Sequence, residues 1–205
     1  MPFFLLIRHG ENEYVKKGRL AGRLPDIHLN DKGRQEAKSV AEKLTGAPIK
    51  AIYSSPLERA METAQPIAEA LGLEVIQRPG LIETNYGDWT DQKIKGLSRL
   101  KLWKIVQNRP TLMQFPGGES FYETQVRITS ELMGLARQFE DKDLLVCVSH
   151  ADPIKLAVAY FIGLPLDMFQ RLSISPGSIT ALNIGETGSQ LLSMNIGPAL
   201  QIPKS

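Results

Sequence analysis

The sequence predicts an α/β protein: a three-layer α/β/α sandwich around a mostly parallel central sheet, with a small cap insertion. Three observations lead there. Phe3-Phe4-Leu5-Leu6-Ile7 and Leu144-Leu145-Val146-Cys147-Val148 are apolar at every position, as strands buried on both faces are. Around them stand helical repeats opened by capping residues, and alternating strands and helices build such sandwiches. Composition agrees: 205 residues, 42% hydrophobic and 22% charged, describe a globular domain with a sizeable core.

The first strand stops at Arg8-His9-Gly10. A charge and an imidazole are costly at the end of a buried strand, and open α/β sheets bind ligands outside the carboxyl ends of their strands. Gly10 allows a sharp turn or a close backbone approach to a ligand. Gly10 to Leu29, polar and rich in Arg, Lys and Gly, reads as a loop. Asn30 caps a helix with Ala37, Val40, Ala41 and Leu44 at helical spacing, closed by Gly46 and Pro48. Ala51-Ile52-Tyr53 is a short strand. In Ser54-Ser55-Pro56-Leu57-Glu58-Arg59, Ser55 is expected to cap, Pro56 to start a helix and Glu58 to complete a capping box. That helix carries Ala60, Ala64, Ile67, Ala68 and Leu71, with a kink or break expected at Pro66. Val75-Ile76 is another short strand.

Residues 79–118 are the least regular part. One helix is expected from about Asp91 to Val106, and Pro110, Pro116, Gly117 and Gly118 close the segment. Long segments of this kind tend to be functional, and this one reads as a cap over a site. Ser120 and Glu123 form a second capping box ahead of a stripe of Ile128, Leu132, Leu135 and Phe139. After the second apolar strand, Asp152 is expected to cap and Pro153 to open a helix reaching about Ile162, before Gly163 and Pro165. Arg171 to Ile196 reads as short strands with turns at Pro176-Gly177 and Glu186-Thr187-Gly188. Their connections are too short for crossovers, so they should pair antiparallel.

The net charge of +2 and pI near 8.6 are too weak to argue for nucleic acid. No apolar run approaches the roughly 20 residues of a membrane helix. Cys147 is the only cysteine; it can form no intramolecular disulfide and reads as a small core residue. Met1-Pro2 leaves no signal or transit segment ahead of the first strand. A single domain over 1–205, in the cytoplasm, fits these features.

His9, His28 and His150 are the only histidines. Taken alone, Arg8 is most simply a strand-end surface charge and His9 a satisfied half-buried histidine. But His150 stands at the same kind of place, immediately after a buried strand, and Arg59 lies just beyond a third. If these strands are neighbours in a parallel sheet, Arg8, His9, Arg59 and His150 converge on one crevice. Helix N-termini at Pro56 and Pro153 would add partial positive charge there. Such a pocket suits a phosphoryl group. It fits a metal poorly, because two guanidinium groups repel a cation and no His or Cys pair has metal-ligand spacing.

Five blocks in order resemble the histidine phosphatase superfamily, which includes cofactor-dependent phosphoglycerate mutases. They are Arg8-His9-Gly10-Glu11, Ser54-Ser55-Pro56-Leu57-Glu58-Arg59-Ala60, Leu81-Ile82-Glu83 with Tyr86-Gly87-Asp88-Trp89, Gly117-Gly118-Glu119-Ser120, and Val148-Ser149-His150. The resemblance spans residues 3 to about 155. It implies that His9 is a nucleophile that becomes phosphohistidine, that Arg8, Arg59 and His150 bind phosphate, and that Glu83 donates a proton. It places Asn12 at a further phosphate contact. Ala151 falls among the phosphate-binding positions but replaces the glycine usual after the second histidine, and its methyl crowds the backbone there. Thr90-Asp91 replaces Glu-Gly, and His28 stands where proline is usual, with surface or loop packing as its expected role. Arg19 and Arg23 are expected to be solvated surface charges, with substrate contact as the alternative.

The chemistry suits these roles. A neutral imidazole can attack phosphorus in line, and two arginines with a second histidine can stabilise the equatorial oxygens without a metal. Glu83 must be protonated at working pH, so burial should raise its pKa. The mutases resembling this chain carry a long basic insertion that holds a second acidic group. Here residues 90–116 are short, and Lys93, Lys95, Arg99, Lys101 and Lys104 read as one solvated helical face. The expectation is a phosphomonoesterase for a small phosphorylated metabolite, without cofactor, metal, nucleic-acid or membrane partner, as monomer or homodimer. The alternatives are mutase-type phosphoryl transfer and a catalytically weak module that binds phosphorylated ligands.

Overall fold

A computed structural model of the chain describes residues 1–185 and 188–197. In order these form β1 (Phe3–Arg8), α1 (Glu13–Lys16), α2 (Asp31–Leu44), β2 (Ile49–Ser54), α3 (Glu58–Leu71), β3 (Val75–Gln77), α4 (Ile94–Leu97), α5 (Lys101–Asn108), α6 (Phe121–Ala136), β4 (Leu144–Ser149), α7 (Ala151–Phe161), β5 (Ile179–Gly185) and β6 (Gly188–Ile196). Short 3-10 turns at Pro79–Leu81, Gly87–Trp89, Pro110–Leu112 and Leu166–Arg171 lie between them.

The six strands form one sheet in the order β3-β2-β4-β1-β5-β6. The first four run parallel, and β5 and β6 are antiparallel, as their short connections require. Helices cover both faces, and the all-apolar strands follow from that. Leu145 and Cys147 of β4, with Phe4 and Leu6 of β1, face a layer made by Ile128, Leu132 and Leu135 of α6 and Ile154, Ala157 and Val158 of α7. Val146 and Val148, with Ile7 and Ile52, face Val40 and Ala41 of α2 and Ala60, Ala64 and Ile67 of α3. A strand whose alternate residues meet two apolar layers has no polar position to spare. Cys147 sits in this core fully buried, as its neighbours predict. Among the described residues no helix is long and apolar enough to cross a membrane.

Capping chemistry is borne out where the side chains were free to cap. Asn30 Oδ1 accepts from Gly33 N–H at 2.9 Å, and Ser120 and Glu123 close a reciprocal capping box. Elsewhere the structure corrects the reading. The α3 N-cap is Leu57 without a side-chain bond, so Ser55 and Glu58 make no capping box and Pro56 lies outside the helix. Pro66 does not break α3, whose stripe of Ala60, Ala64, Ile67 and Ala68 stays buried across it. Packing there outweighs one missing backbone bond. The single helix expected over 91–106 is two short ones, α4 and α5, anchored by buried Leu97 and Val106. The five basic residues there are exposed but spread over both helices and their flanks rather than on one face. Helix α7 begins at Ala151, not Pro153. The first N–H groups of a helix have no partner in it, so a proline at the third position loses nothing. The turn read at 186–188 lies mostly outside the described residues, and α1 interrupts the loop expected from Gly10 to Leu29.

Candidate active site

Because β1 and β2 both pair with β4 in parallel, their carboxyl ends lie side by side, with Arg8 opposite Ser149 and Ser54 opposite Val148. Arg8 closes β1, His9 follows it, and His150 follows β4 as the N-cap of α7. Arg59 comes from the first turn of α3. The expected convergence of Arg8, His9 and Arg59 is present: with Asn12, Glu83 and Ala151 they line one cleft of about 270 Å³, whereas His150, fully buried, stands against His9 and is not part of the cleft wall. The His9 and His150 rings meet edge to face, with centroids 5.1 Å apart. Two aligned helix N-termini, α3 and α7, open at this edge and favour an anion there.

His9 is buried, and its Nδ1 lies 2.7 Å from Gly10 O. A carbonyl can only accept, so Nδ1 carries the proton. Burial, then the charges of Arg59 and Arg8, hold this imidazole well below the ordinary histidine range. It is thus neutral, with the lone pair on Nε2. Backbone contacts fix the loop that presents it. Gly10 N–H donates to Thr63 Oγ1 at 3.0 Å, and Thr63 donates to Arg59 O at 2.7 Å. Gly10 itself is not a turn residue with positive φ. A Cβ at Gly10 would lie 2.5 Å from Gly33 O, and one at Gly33 only 2.0 Å from Glu11 O. Two glycines let the loop after β1 lie flat on the first turn of α2.

His150 Nε2 lies 2.8 Å from Ser55 Oγ. The same serine oxygen also accepts from Leu57 N–H at 3.4 Å, just ahead of α3. Burial and the charges of Arg59, His9 and Arg8 hold His150 well below its ordinary range too. Its Nδ1 has no hydrogen-bond partner and stands 4.0 Å from Glu83 Oε2. Arg8 spends one nitrogen on Ile174 O at 2.6 Å, and Arg59 one on Gly22 O at 2.7 Å. Arg8 Nε, Arg59 Nε and Nη1, and Asn12 Nδ2 are buried without partners. Asn12 Oδ1 caps α1 by accepting from Val15 N–H, which turns its amide nitrogen away from the cap. Buried polar groups are rarely left unpaired, and here three residues lining one cleft carry four donors without acceptors, with His150 Nδ1 unpartnered nearby. An oxyanion with several acceptor oxygens satisfies them together.

Glu83 is the carboxylate of this cleft. One oxygen accepts from Thr84 N–H at 2.9 Å. Burial, then the nearby Asp152 charge, pushes its pKa up to about 7, against the opposing pull of Arg59 and Arg8. Its backbone is clamped from behind: Arg23 Nε donates to Glu83 O at 2.8 Å, and Arg127 donates to Ile82 O at 2.7 Å. Glu119 holds both arginines, at 2.5 Å and 3.1 Å. Arg23 is therefore not the solvated surface charge expected of it. Arg19 faces the cleft but is tied to Asp91. His28 is exposed and paired with Glu62, a surface role as expected. Sequence reasoning missed Arg127, which had no motif around it, and read Asp152 as a cap. Asp152 instead lines the cleft, accepting from Tyr86 OH at 2.9 Å and pairing with Lys155 at 2.8 Å.

The sequence model of the histidine phosphatase superfamily, branch 1, matches residues 4–197. A phosphoserine phosphatase of Hydrogenobacter thermophilus is 30% identical over 96% of this chain and 93% of its own. A 2,3-bisphosphoglycerate-dependent phosphoglycerate mutase of Thermoplasma acidophilum is 30% identical over 90% of this chain and 88% of its own. Among solved structures, the Entamoeba histolytica phosphoserine phosphatase bound to 3-phosphoglyceric acid superposes with a TM-score of 0.86. It is 30% identical, with 97% of this chain and 98% of that one covered.

Proposed function

The chain belongs to the histidine phosphatase superfamily and is a phosphatase, and from that premise we propose that it hydrolyses a small phosphate monoester in two displacements at His9. The observation that carries the proposal is the state of that imidazole: neutral, its proton held by Gly10 O, beside two guanidiniums with nitrogens to spare. His9 Nε2 attacks phosphorus, the bond from phosphorus to the ester oxygen breaks, and Glu83 gives its proton to the leaving alkoxide. Arg8, Arg59, His150 Nδ1–H and Asn12 hold the equatorial oxygens, with Ala151 at the helix terminus beside them. Ser55 can satisfy His150 Nε2 as a donor, which leaves the ring proton on Nδ1. Water then attacks the phosphohistidine, ionised Glu83 takes its proton, and inorganic phosphate leaves with His9 neutral again. The guanidiniums supply the charge that a divalent ion supplies elsewhere, so no metal or cofactor is required.

A mutase must retain a bisphosphate, and Lys93, Lys95, Arg99, Lys101 and Lys104 do not line the cleft. That favours hydrolysis over transfer. Residues 79–118 belong to the same domain as the rest and act as a cap, contributing Tyr86, Trp89, Ile94, Trp103, Val106 and Phe115 to the cleft wall. A buried lone thiol at Cys147 suits a cytoplasmic protein, monomer or homodimer. Rapid-quench labelling tests the core of the proposal. Substrate carrying labelled phosphate should leave an acid-labile phosphoenzyme on the parent protein and none on a folded His9→Ala variant. A labelled variant would overturn it.

A further inference from the structure

We propose that the outer half of the cleft is a subsite for an apolar, flat leaving group, so that the enzyme selects phosphate monoesters of apolar alcohols over those carrying a second acidic group. The proposal rests on the phosphatase reading and adds the substrate class. Beyond Arg8, His9 and Arg59 the cleft continues between α1 and the α4–α5 segment, where Val15, Leu20, Ile94, Trp103, Val106 and Phe115 form its walls. Trp103 is half-buried but held, stacking on Trp89 with centroids 6.0 Å apart and planes 20° from parallel. Trp89 in turn meets the edge of Phe115 at 5.4 Å. The wall is thus a fixed aromatic surface, and a rigid surface costs a ligand little ordering.

The charges point the same way. Apart from Arg8 and Arg59, Arg19 is the one basic residue lining the cleft among the described residues. Arg19 Nη2 donates to both Asp91 Oδ1 and Asp91 O at 2.6 Å, and its guanidinium lies 5.6 Å from the Tyr14 ring centre. Asp91 thus pairs with this charge through Nη2, while Arg19 Nε stays buried without a partner. Other polar side chains of the cleft are the neutral amides Gln107 and Gln170 and the Tyr14 and Tyr86 hydroxyls, and a further carboxylate, Asp152, stands beside them paired with Lys155. A substrate carboxylate or second phosphate placed here would lose water against indole and aliphatic carbon, with Arg19, already paired with Asp91, the one cation beside it. An apolar body gains from the same surface. A single methylene in an apolar pocket is worth roughly tenfold or more in specificity.

Steady-state kinetics on alkyl monoesters tests this with leaving oxygens of similar kind: 2-phenylethyl phosphate and butyl phosphate against phosphoserine and 3-phosphoglycerate. We expect kcat/KM for the phenylethyl ester to exceed that for either acidic ester by about tenfold or more. Trp103→Ala should shrink that ratio, mainly through a higher KM for the phenylethyl ester, and Trp103→Phe should restore most of it. Acidic esters used as well as the phenylethyl ester, or a ratio unmoved in a folded Trp103→Ala variant, would overturn the subsite while leaving the phosphatase reading standing. Turnover of no monoester at all would overturn both.

Discussion

Replacing Glu83 by Gln should make the protein more stable at alkaline pH and far less active. Burial and the Asp152 charge lift this carboxyl from 4.5 to about 7. The native state therefore holds the Glu83 proton more tightly than the unfolded chain does. The stability this group contributes is fully present below about pH 4.5, is lost as pH rises from there through 7, and is absent above. A difference of about 2.5 units corresponds to about 3 kcal/mol at pH 8. Glutamine keeps the shape and cannot ionise, so the variant escapes that loss. Any fixed cost of its amide group appears at every pH and cancels in a difference. Urea unfolding of parent and variant at pH 4.5 and pH 8 gives the quantity directly. The variant's advantage should grow by about 3 kcal/mol between the two, an order-of-magnitude figure. An advantage that is the same at both pH values would mean that the fold does not hold Glu83 protonated, and its role as acid would lose its physical basis.

The same variant should slow phosphorylation of His9 by alkyl phosphates about 10²–10⁴-fold in single turnovers, and by nitrophenyl phosphate much less, since nitrophenolate leaves almost unaided; equal slowing would point away from Glu83. Glu119, committed to Arg23 and Arg127, and Asp88, exposed outside the cleft, are poorly placed to replace it. Vanadate should inhibit competitively as a mimic of the phosphoryl transition state, and a chelator should leave activity unchanged; a loss restored by a divalent ion would contradict the metal-free mechanism. Gly10→Ala should cost about 1–3 kcal/mol by forcing Gly33 O away. By contrast Gly134→Ala, mid-helix in α6 with open space around it, should stabilise by about 0.5–1 kcal/mol; urea midpoints decide both.

The parts of the fold that were legible are those that local chemistry decides. Asn30 and Ser120 cap because nothing else competes for their oxygens, and the two apolar strands could be buried only between layers. What misled was competition from distant residues. Ser55 reads as a helix cap, but the helix begins only at Glu58, and the serine hydroxyl meets His150, 95 positions away, while accepting from Leu57 N–H. Arg23 reads as surface until Glu119 and the Glu83 carbonyl claim it. Asp152 reads as a cap because Pro153 follows it, while its actual partners, Tyr86 and Lys155, are set by tertiary packing and helix geometry. Gly10 reads as a position for a turn or a close approach, and the close approach in the fold is to Gly33 of α2, which no local pattern indicates.

The cleft is a balance that its own fold leaves unclosed. Arg8 and Arg59 each give one nitrogen to a backbone carbonyl and keep others buried and unanswered. Burial pulls both guanidiniums below their usual range, with Glu83 the first-ranked opposing charge for each. Were Glu83 simply ionised, it would neutralise part of that charge and could not protonate a leaving group. Burial and Asp152 prevent this by raising its proton affinity, and the two arginines keep it from rising further. In the proposed mechanism, a bound phosphoryl dianion then answers the arginines in place of Glu83, which removes the pull that lowered its pKa and adds a like charge beside it. Substrate binding itself thus secures the proton that the first step consumes. Transfer of that proton leaves the ionised carboxylate that the second step needs, and departure of phosphate returns the pocket to its starting balance. One carboxyl near neutrality between two cations serves both steps, because the occupant of the pocket shifts its pKa.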